Sequence, residues 1–424
     1  MDLGPFPDSP GFDEAAQLDA NDALAEFRDR YVITDPELIY LDGNSLGRLP
    51  NKATEIIDQV TNDQWGERLI RSWNESWWTL QLDLGDQIAP ILGARPGEVI
   101  VSDSTSVNLY KLASAALAAR PDRKKIMTDD LNFPTDVYVL NGLAESHGAD
   151  LVVIKSDGIT GPIEGLNAAI DEDTALVSLS HTVFKSGYTY DLAAVTEMAH
   201  AAGALVLWDC SHSVGVVPIE FGAAEVDLAV GCTYKYLNGG PGSPAWLYVR
   251  SGLQDKLANP ITAWWGHAEP FEFSLDYEPV EGIRRFHTGT MPILSLAPIA
   301  AGLQDVLDAG IDQIRAKSEA MSEYMIRQVD THLKPLGFDV VSPRDVGRRG
   351  SHVAVSHEMA WPITRALAED AQVIPDFRTP DNIRFGIAPL YNSFTDVHTA
   401  VQRTKRVVES GAHTNYLDVE ATVT

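Results

Sequence analysis

Short apolar runs that end in polar residues recur along the first two thirds of the chain. Glu98-Val-Ile-Val101, Lys125-Ile-Met-Thr128, Leu151–Ile154, Ala175–Ser180, Leu205-Val-Leu-Trp-Asp209, Leu228-Ala-Val-Gly231 and Pro244–Val249 each have the length and apolar content of a buried strand. Between them the apolar period shifts to three or four, predicting helices from Ser104 to about Ala119, after Phe133-Pro-Thr-Asp136, and over residues 191–202. Strands alternating with helices predict an α/β fold with a mostly parallel sheet covered on both faces. In such a sheet a ligand lies beyond the C-terminal strand ends. Thr105, Ser106, Phe133, Asp136, Asp209 and Lys235 all fall at such ends.

The flanks read differently. Ala16, Ala20, Leu24, Phe27 and Tyr31 predict one amphipathic helix over residues 13–31, followed by a short strand at Ile39-Tyr-Leu41 and the turn Asp42-Gly-Asn-Ser-Leu-Gly47. Residues 52–66 read as helix, and Trp73, Trp77 and Trp78 crowd the stretch after it. Past residue 260 the texture changes to loops, Ala263-Trp-Trp-Gly-His267 and Gly282–Thr290, then to helices over 296–309 and 312–334. Strands at 338–341, 352–356 and 383–387 with helices at 361–370 and 394–409 complete a smaller α+β domain.

Charge and cysteine content narrow the classes. Sixty acidic against 32 basic side chains give a net charge of −28, which disfavours nucleic-acid and anionic-membrane partners. Cys210 and Cys232 are too few for a disulfide framework or a cysteine metal cluster, so no metal is expected and both thiols read as reduced and buried. Met1–Asp8 has neither a basic nor an apolar leader region, and no apolar run of about 18 residues occurs, so the expectation is cytoplasmic.

Asp209 and Lys235 at neighbouring strand ends are an ordinary ion pair or the two anchors of pyridoxal 5′-phosphate (PLP). The lysine would hold the cofactor aldehyde as a Schiff base, and the carboxylate would keep the pyridine nitrogen protonated. The hydroxyls at Ser104-Thr-Ser106 are helix caps or phosphate donors. The tryptophan cluster is core or site lining. Arg384, in Asp381-Asn-Ile-Arg-Phe385, is a surface arginine or a bidentate carboxylate clamp.

Eight segments in order remove these alternatives. Tyr40-Leu-Asp-Gly-Asn-Ser-Leu-Gly47, Ser104-Thr-Ser-Val-Asn108, Phe133-Pro-Thr-Asp136, Asp209-Cys-Ser-His212, Thr233-Tyr-Lys-Tyr-Leu-Asn238, Trp264-Trp-Gly-His267, Gly289-Thr-Met-Pro-Ile-Leu294 and Pro389-Leu-Tyr-Asn-Ser-Phe394 resemble the kynureninases. These are PLP-dependent enzymes of the aspartate-aminotransferase fold type that hydrolyse L-kynurenine to anthranilate and L-alanine. The resemblance implies an N-terminal segment (1–50) packing with the small domain, a PLP-binding large domain (51–300) and a small C-terminal domain (301–424).

It also implies roles. Lys235 would be the Schiff-base lysine and α-proton carrier, and Asp209 the partner of the pyridine nitrogen. Phe133 would stack on the ring, with Asp136 and His212 bonding around its edge. Thr105, Ser106 and Tyr234 would cradle the phosphate, Tyr234 also serving as general acid/base. Trp264 and Thr290 would reach the cofactor of a partner subunit, implying a homodimer with shared sites. Arg384 would clamp the substrate α-carboxylate, with Ser45 lining that end. Trp73 and Thr290 resemble the members that prefer kynurenine to 3-hydroxykynurenine, because an indole there offers an extra hydroxyl no partner. Met291 stands where many relatives have proline, a difference of loop stiffness. The family setting is tryptophan catabolism, the kynurenine pathway and NAD biosynthesis. The rival readings are another enzyme of this fold, a cysteine desulfurase or an aminotransferase, and a non-catalytic PLP-binding protein.

Overall fold

The computed structural model describes Ser9 and residues 11–420, so the Met1–Asp8 stretch read for a leader lies outside the described residues. After β1 (Ile39–Tyr40) come β2 (Val99–Val101), β3 (Lys125–Asp129), β4 (Asp150–Ile154), β5 (Thr174–Ser180), β6 (Leu205–Asp209), β7 (Leu228–Gly231) and β8 (Trp246–Val249). Strands β2 to β8 form one sheet in the order β2-β8-β7-β6-β5-β3-β4. Only β8 runs against its neighbours β2 and β7; the other pairings are parallel. The alternation of side chains along a strand explains why these runs are apolar throughout. In β6, Val206 and Trp208 join one core cluster while Leu205 and Leu207 join the cluster on the opposite face.

The remaining strands are β9 (Asp339–Val340), β10 (Val353–Ser356), β11 (Val373–Ile374), β12 (Asp376–Arg378) and β13 (Asn382–Phe385). An antiparallel sheet, β12-β13-β10-β9, carries the second domain, and β11 pairs in parallel with β1. Ile39 and Leu41 therefore bury with Met325, Val353, Ile383, Phe385 and Val397. The last long helix, Phe394–Glu409, opens on a capping box in which Ser393 and Asp396 satisfy each other's backbone N–H groups.

The single helix expected over residues 13–31 is two. An α-helix spans Phe12–Ala20, and a 3₁₀ segment spans Ala25–Arg30. Asp22 makes the break: its Oδ1 accepts from Leu24 N at 2.9 Å, and its Oδ2 pairs with Lys317 at 2.6 Å. The break lets one short segment serve two cores. Ala15 buries in the small-domain cluster, whereas Leu24, Phe27 and Tyr31 bury in the large-domain cluster. The helix expected over 52–66 is α-helical only to Gln59 and continues as π turns through Arg68. Among the described residues no single helix is long and apolar enough to cross a membrane, and no group of three His, Cys, Asp or Glu is placed to hold a metal.

Candidate active site

The strand ends converge as the alternating pattern requires. Asp209 closes β6; its Oδ1 accepts from Ser211 N at 2.8 Å and Ser211 Oγ at 2.6 Å. Asp136, on the first turn of helix Pro134–His147, faces it and is 2% exposed, with an Oδ2 that has no hydrogen-bond partner. Burial, and then the charge of Asp209, hold the Asp136 carboxyl well above the usual range. Two buried carboxyls this close do not both ionise, so Asp136 carries the proton and presents an O–H donor.

Lys235 lies just beyond β7, with Nζ 3.0 Å from His212 Nε2. Burial, followed by the Lys235 charge, depresses the His212 pKa far enough to keep its ring neutral. Lys235 keeps some accessible surface, yet the surrounding protein lowers its pKa by desolvation against the opposing pull of Cys232 and Asp209. An amine made easier to deprotonate is a better nucleophile and proton carrier. The Phe133 and Tyr234 rings each have their centroid 6.0 Å from Nζ. Phe133 remains 37% exposed, a flat apolar surface at the mouth of the site.

Next to this cluster is a cavity of ≈ 490 Å³ lined by Ser104, Thr105, Ser106, Tyr234, Ser243 and Thr290, among others. It sits at the N-terminus of the 14-residue helix Thr105–Ala118, where Ser104 caps Val107 N. Backbone N–H groups, hydroxyls and the positive end of the helix dipole make this an anion site. Beneath it the buried Lys111 pairs with Asp103 at 2.8 Å and bonds the Phe286 carbonyl at 2.7 Å. A hydroxyl-lined helix end for a phosphate, a desolvated amine for an aldehyde and a carboxyl pair for a ring edge together fit PLP.

The loop after β1 forms the other wall. Gly47 N donates to the Tyr234 carbonyl at 2.8 Å, and a side chain on Gly47 would collide with the Lys235 carbonyl and Asn238. Only glycine lets this loop lie so close to the lysine. Ser45, on the same loop, has its Oγ 3.3 Å from Arg384 Nη2. Arg384, buried on β13, also bonds the Phe184 carbonyl through Nη1 and the Asp376 carboxylate through Nη2, while its Nε has no partner. The Asp376 carboxylate additionally accepts from Arg378 Nη1 at 2.7 Å and Ser45 Oγ at 3.1 Å.

Trp73 and Trp264 are not in this group. They line a separate depression of ≈ 460 Å³ with Ile70, Trp78, Phe271 and Thr290. Trp73 packs against Trp265 at 5.4 Å and edge-on to Trp77 at 5.3 Å. Thr290 borders both spaces. Sequence reasoning missed Asp376, Arg378 and Phe184, and it missed His352, whose ring is 6.1 Å from that of His212. It also gave Asp42 no role, although Asp42 opens the turn it singled out. Asp376 and Arg378 sit on a three-residue strand that leaves no periodic signal. The free thiols of Cys210 and Cys232 are both buried, and burial pushes both up, away from the reactive thiolate.

Comparison with known proteins gives consistent findings. Residues 314–404 match the family model of the kynureninase C-terminal domain. The chain is 43% identical over 392 residues to the kynureninase of Pseudomonas fluorescens, covering 91% of this chain and 92% of that protein. It is 40% identical over 405 residues to the kynureninase of Burkholderia pseudomallei, covering 94% and 96%. Among solved structures, the cysteine desulfurase of Thermococcus onnurineus superposes with a TM-score of 0.78 at 19% identity, covering 91% of this chain and 98% of that one. The enzyme C-DES, with glycine covalently linked to its PLP cofactor, gives 0.75 at 18% identity, covering 87% and 97%. These last two share the α/β fold of PLP fold-type-I enzymes.

Proposed function

The chain belongs to the kynureninase family of PLP-dependent hydrolases acting on carbon–carbon bonds, and we propose how its residues divide the cleavage of L-kynurenine into anthranilate and L-alanine. When bound, PLP supplies a carbonyl that takes up the substrate amine and a ring that withdraws electrons from it. Lys235 would hold that carbonyl, and its Nζ would carry the proton at the substrate Cα. Asp209 would hold the pyridine nitrogen, Phe133 would cover the ring, and Asp136 and His212 would bond around its edge. Thr105, Ser106 and Tyr234, which line the cavity at the helix end, would hold the phosphate.

Tyr234 has a second task. The Cys232 thiol, burial and Asp209 all push its hydroxyl up, so it stays a neutral O–H donor. It would donate to the γ-carbonyl oxygen as water adds there; as the Cβ–Cγ bond breaks with its electron pair left on Cβ, Tyr234 would take a proton from the hydrated carbon and pass it to Cβ. Arg384 and Ser45 hold the α-carboxylate and so fix Cα against Lys235. The observation that carries this reading is the desolvated Lys235 amine, set beside neutral His212 and Phe133 at the strand ends that also carry the Asp136–Asp209 pair.

Substrate preference follows from Trp73 and Thr290. An indole at Trp73 would fill the space around the anilino ring and leave an added ring hydroxyl little room. Anthranilate fluorescence and its hydroxylated counterpart, measured side by side, are expected to give a higher kcat/KM for L-kynurenine than for 3-hydroxykynurenine. Equal or reversed values refute the preference.

A second copy of the chain completes the site in this proposal. Ile70, Phe271 and Phe273 are 76%, 64% and 76% exposed around the depression that holds Trp264 and Thr290, an apolar area suited to a like partner. Sedimentation equilibrium is expected to give twice the 46.2 kDa chain mass. Phe271→Asp removes an aromatic anchor worth about 2 kcal/mol from each subunit, so dimer affinity falls by roughly a thousandfold. A fully active monomer contradicts this arrangement.

The division into residues 1–50, 51–300 and 301–424 belongs to the same proposal, supported by the shared core of Ile39 and Leu41 with the small sheet. Tryptophan catabolism is the setting the family name carries. A contribution to NAD biosynthesis and a cytoplasmic location are proposed with it, the location supported by the two free thiols.

A further inference from the structure

Asp42 stands at the carboxylate end of the site with no part in the chemistry above. Its backbone bridges to Gly386, just beyond β13, and its Oδ1 is buried without a hydrogen-bond partner. Every packed element presents charged or titratable groups to it: Asp376 and Arg378 from β12, Arg384 from β13, and the hydroxyls of Tyr40, Tyr236 and Tyr391 around it. Two carboxyls thus share one space with two guanidiniums. Burial, and then the Asp376 charge, raise the Asp42 carboxyl to about 7, against the Ser45 hydrogen bond and the charges of Arg384 and Arg378.

A substrate carboxylate docking on Arg384 brings a third negative group to these two cations. Neutrality then requires one of the three to take a proton. Asp376 is held as an acceptor by Arg384, Arg378 and Ser45. Asp42 Oδ1 is held by no donor, so protonating it breaks no bond at that atom. We infer that Asp42 is a positioning residue that takes up a proton when the substrate α-carboxylate docks on Arg384, so that carboxylate binding weakens as pH rises. The sign follows from linkage. Affinity is full below the pKa of Asp42 in the ligand-free protein and falls by up to about tenfold per pH unit above it.

This inference rests on Arg384 acting as the carboxylate clamp of a kynurenine-cleaving enzyme, and the test separates the two. Isothermal titration of L-alanine, a product that binds without being cleaved, is run on PLP-loaded protein at about pH 7.5 in buffers of different ionisation enthalpy. Wild-type protein is expected to take up about half a proton more than Asp42→Asn. Over the same range, KM for L-kynurenine is expected to rise several-fold per pH unit in wild type and to flatten in Asp42→Asn. Asp376→Asn leaves two negative groups for the two cations once the substrate docks, so no proton is needed and its KM rise flattens as well; this variant decides the matter if Asp42→Asn fails to fold. Equal proton uptake, or parallel KM curves in all three proteins, overturns the role of Asp42 while anthranilate production leaves the enzyme reading intact. A protein that makes no anthranilate at any pH overturns both.

Discussion

Lys235→Ala is expected to cut anthranilate formation by about a thousandfold or more while the far-ultraviolet circular dichroism stays native. The size follows from what the amine does. Its Nζ is hydrogen-bonded to His212 at the site, and it is both covalent anchor and proton carrier in the proposed reaction. Loss of a positioned proton carrier alone accounts for about 10²–10⁴ in rate. The fold tolerates the change because burial already penalises the charged form of this lysine. What remains behind is His212 Nε2 without its partner, at a cost of about 1–3 kcal/mol. The visible absorbance of bound cofactor should fall with the activity. A variant that turns over at the wild-type rate contradicts the assignment of Lys235.

Arg384→Lys is expected to lower kcat/KM for L-kynurenine by about a hundredfold, mostly through KM. Lysine preserves the charge but replaces a rigid fork with a single point of contact. The native guanidinium bonds a carbonyl of the large domain, Phe184, and two residues of its own end of the site, Ser45 and Asp376. Truncating one partner of a buried, hydrogen-bonded charge pair costs about 2–5 kcal/mol. Arg384→Ala should therefore also lower thermal stability, since it leaves Asp376 with Arg378 and Ser45 alone. Unchanged KM in the lysine variant contradicts the clamp.

The parallel sheet was legible because its strands are buried on both faces and so read as unbroken apolar runs. The strand-end residues Asp209 and Lys235 were legible for the same reason: polar side chains that interrupt an apolar pattern stand out. The break at Asp22 was not. Leu24, Phe27 and Tyr31 keep helical spacing across it, and the ion pair that bends the chain joins Asp22 to Lys317, far away in sequence. Arg384 was singled out from its motif, but its partners were invisible, because Asp376 lies on a strand too short to show a period. Asp42 was in view as a turn residue. Its buried oxygen and its charged neighbours exist only once β1, β12 and β13 are brought together. Trp73 was read as a substrate contact, whereas within one chain it belongs to the depression shared with Trp264 and Thr290.

The most direct measurement loads the purified protein with PLP, adds L-kynurenine, and quantifies anthranilate and alanine in the same sample. Equal amounts of the two are expected, with no keto acid required. A yellow, cofactor-bound protein that makes no anthranilate, or that passes the substrate amino group to a keto acid instead, contradicts the assignment of this site to carbon–carbon cleavage.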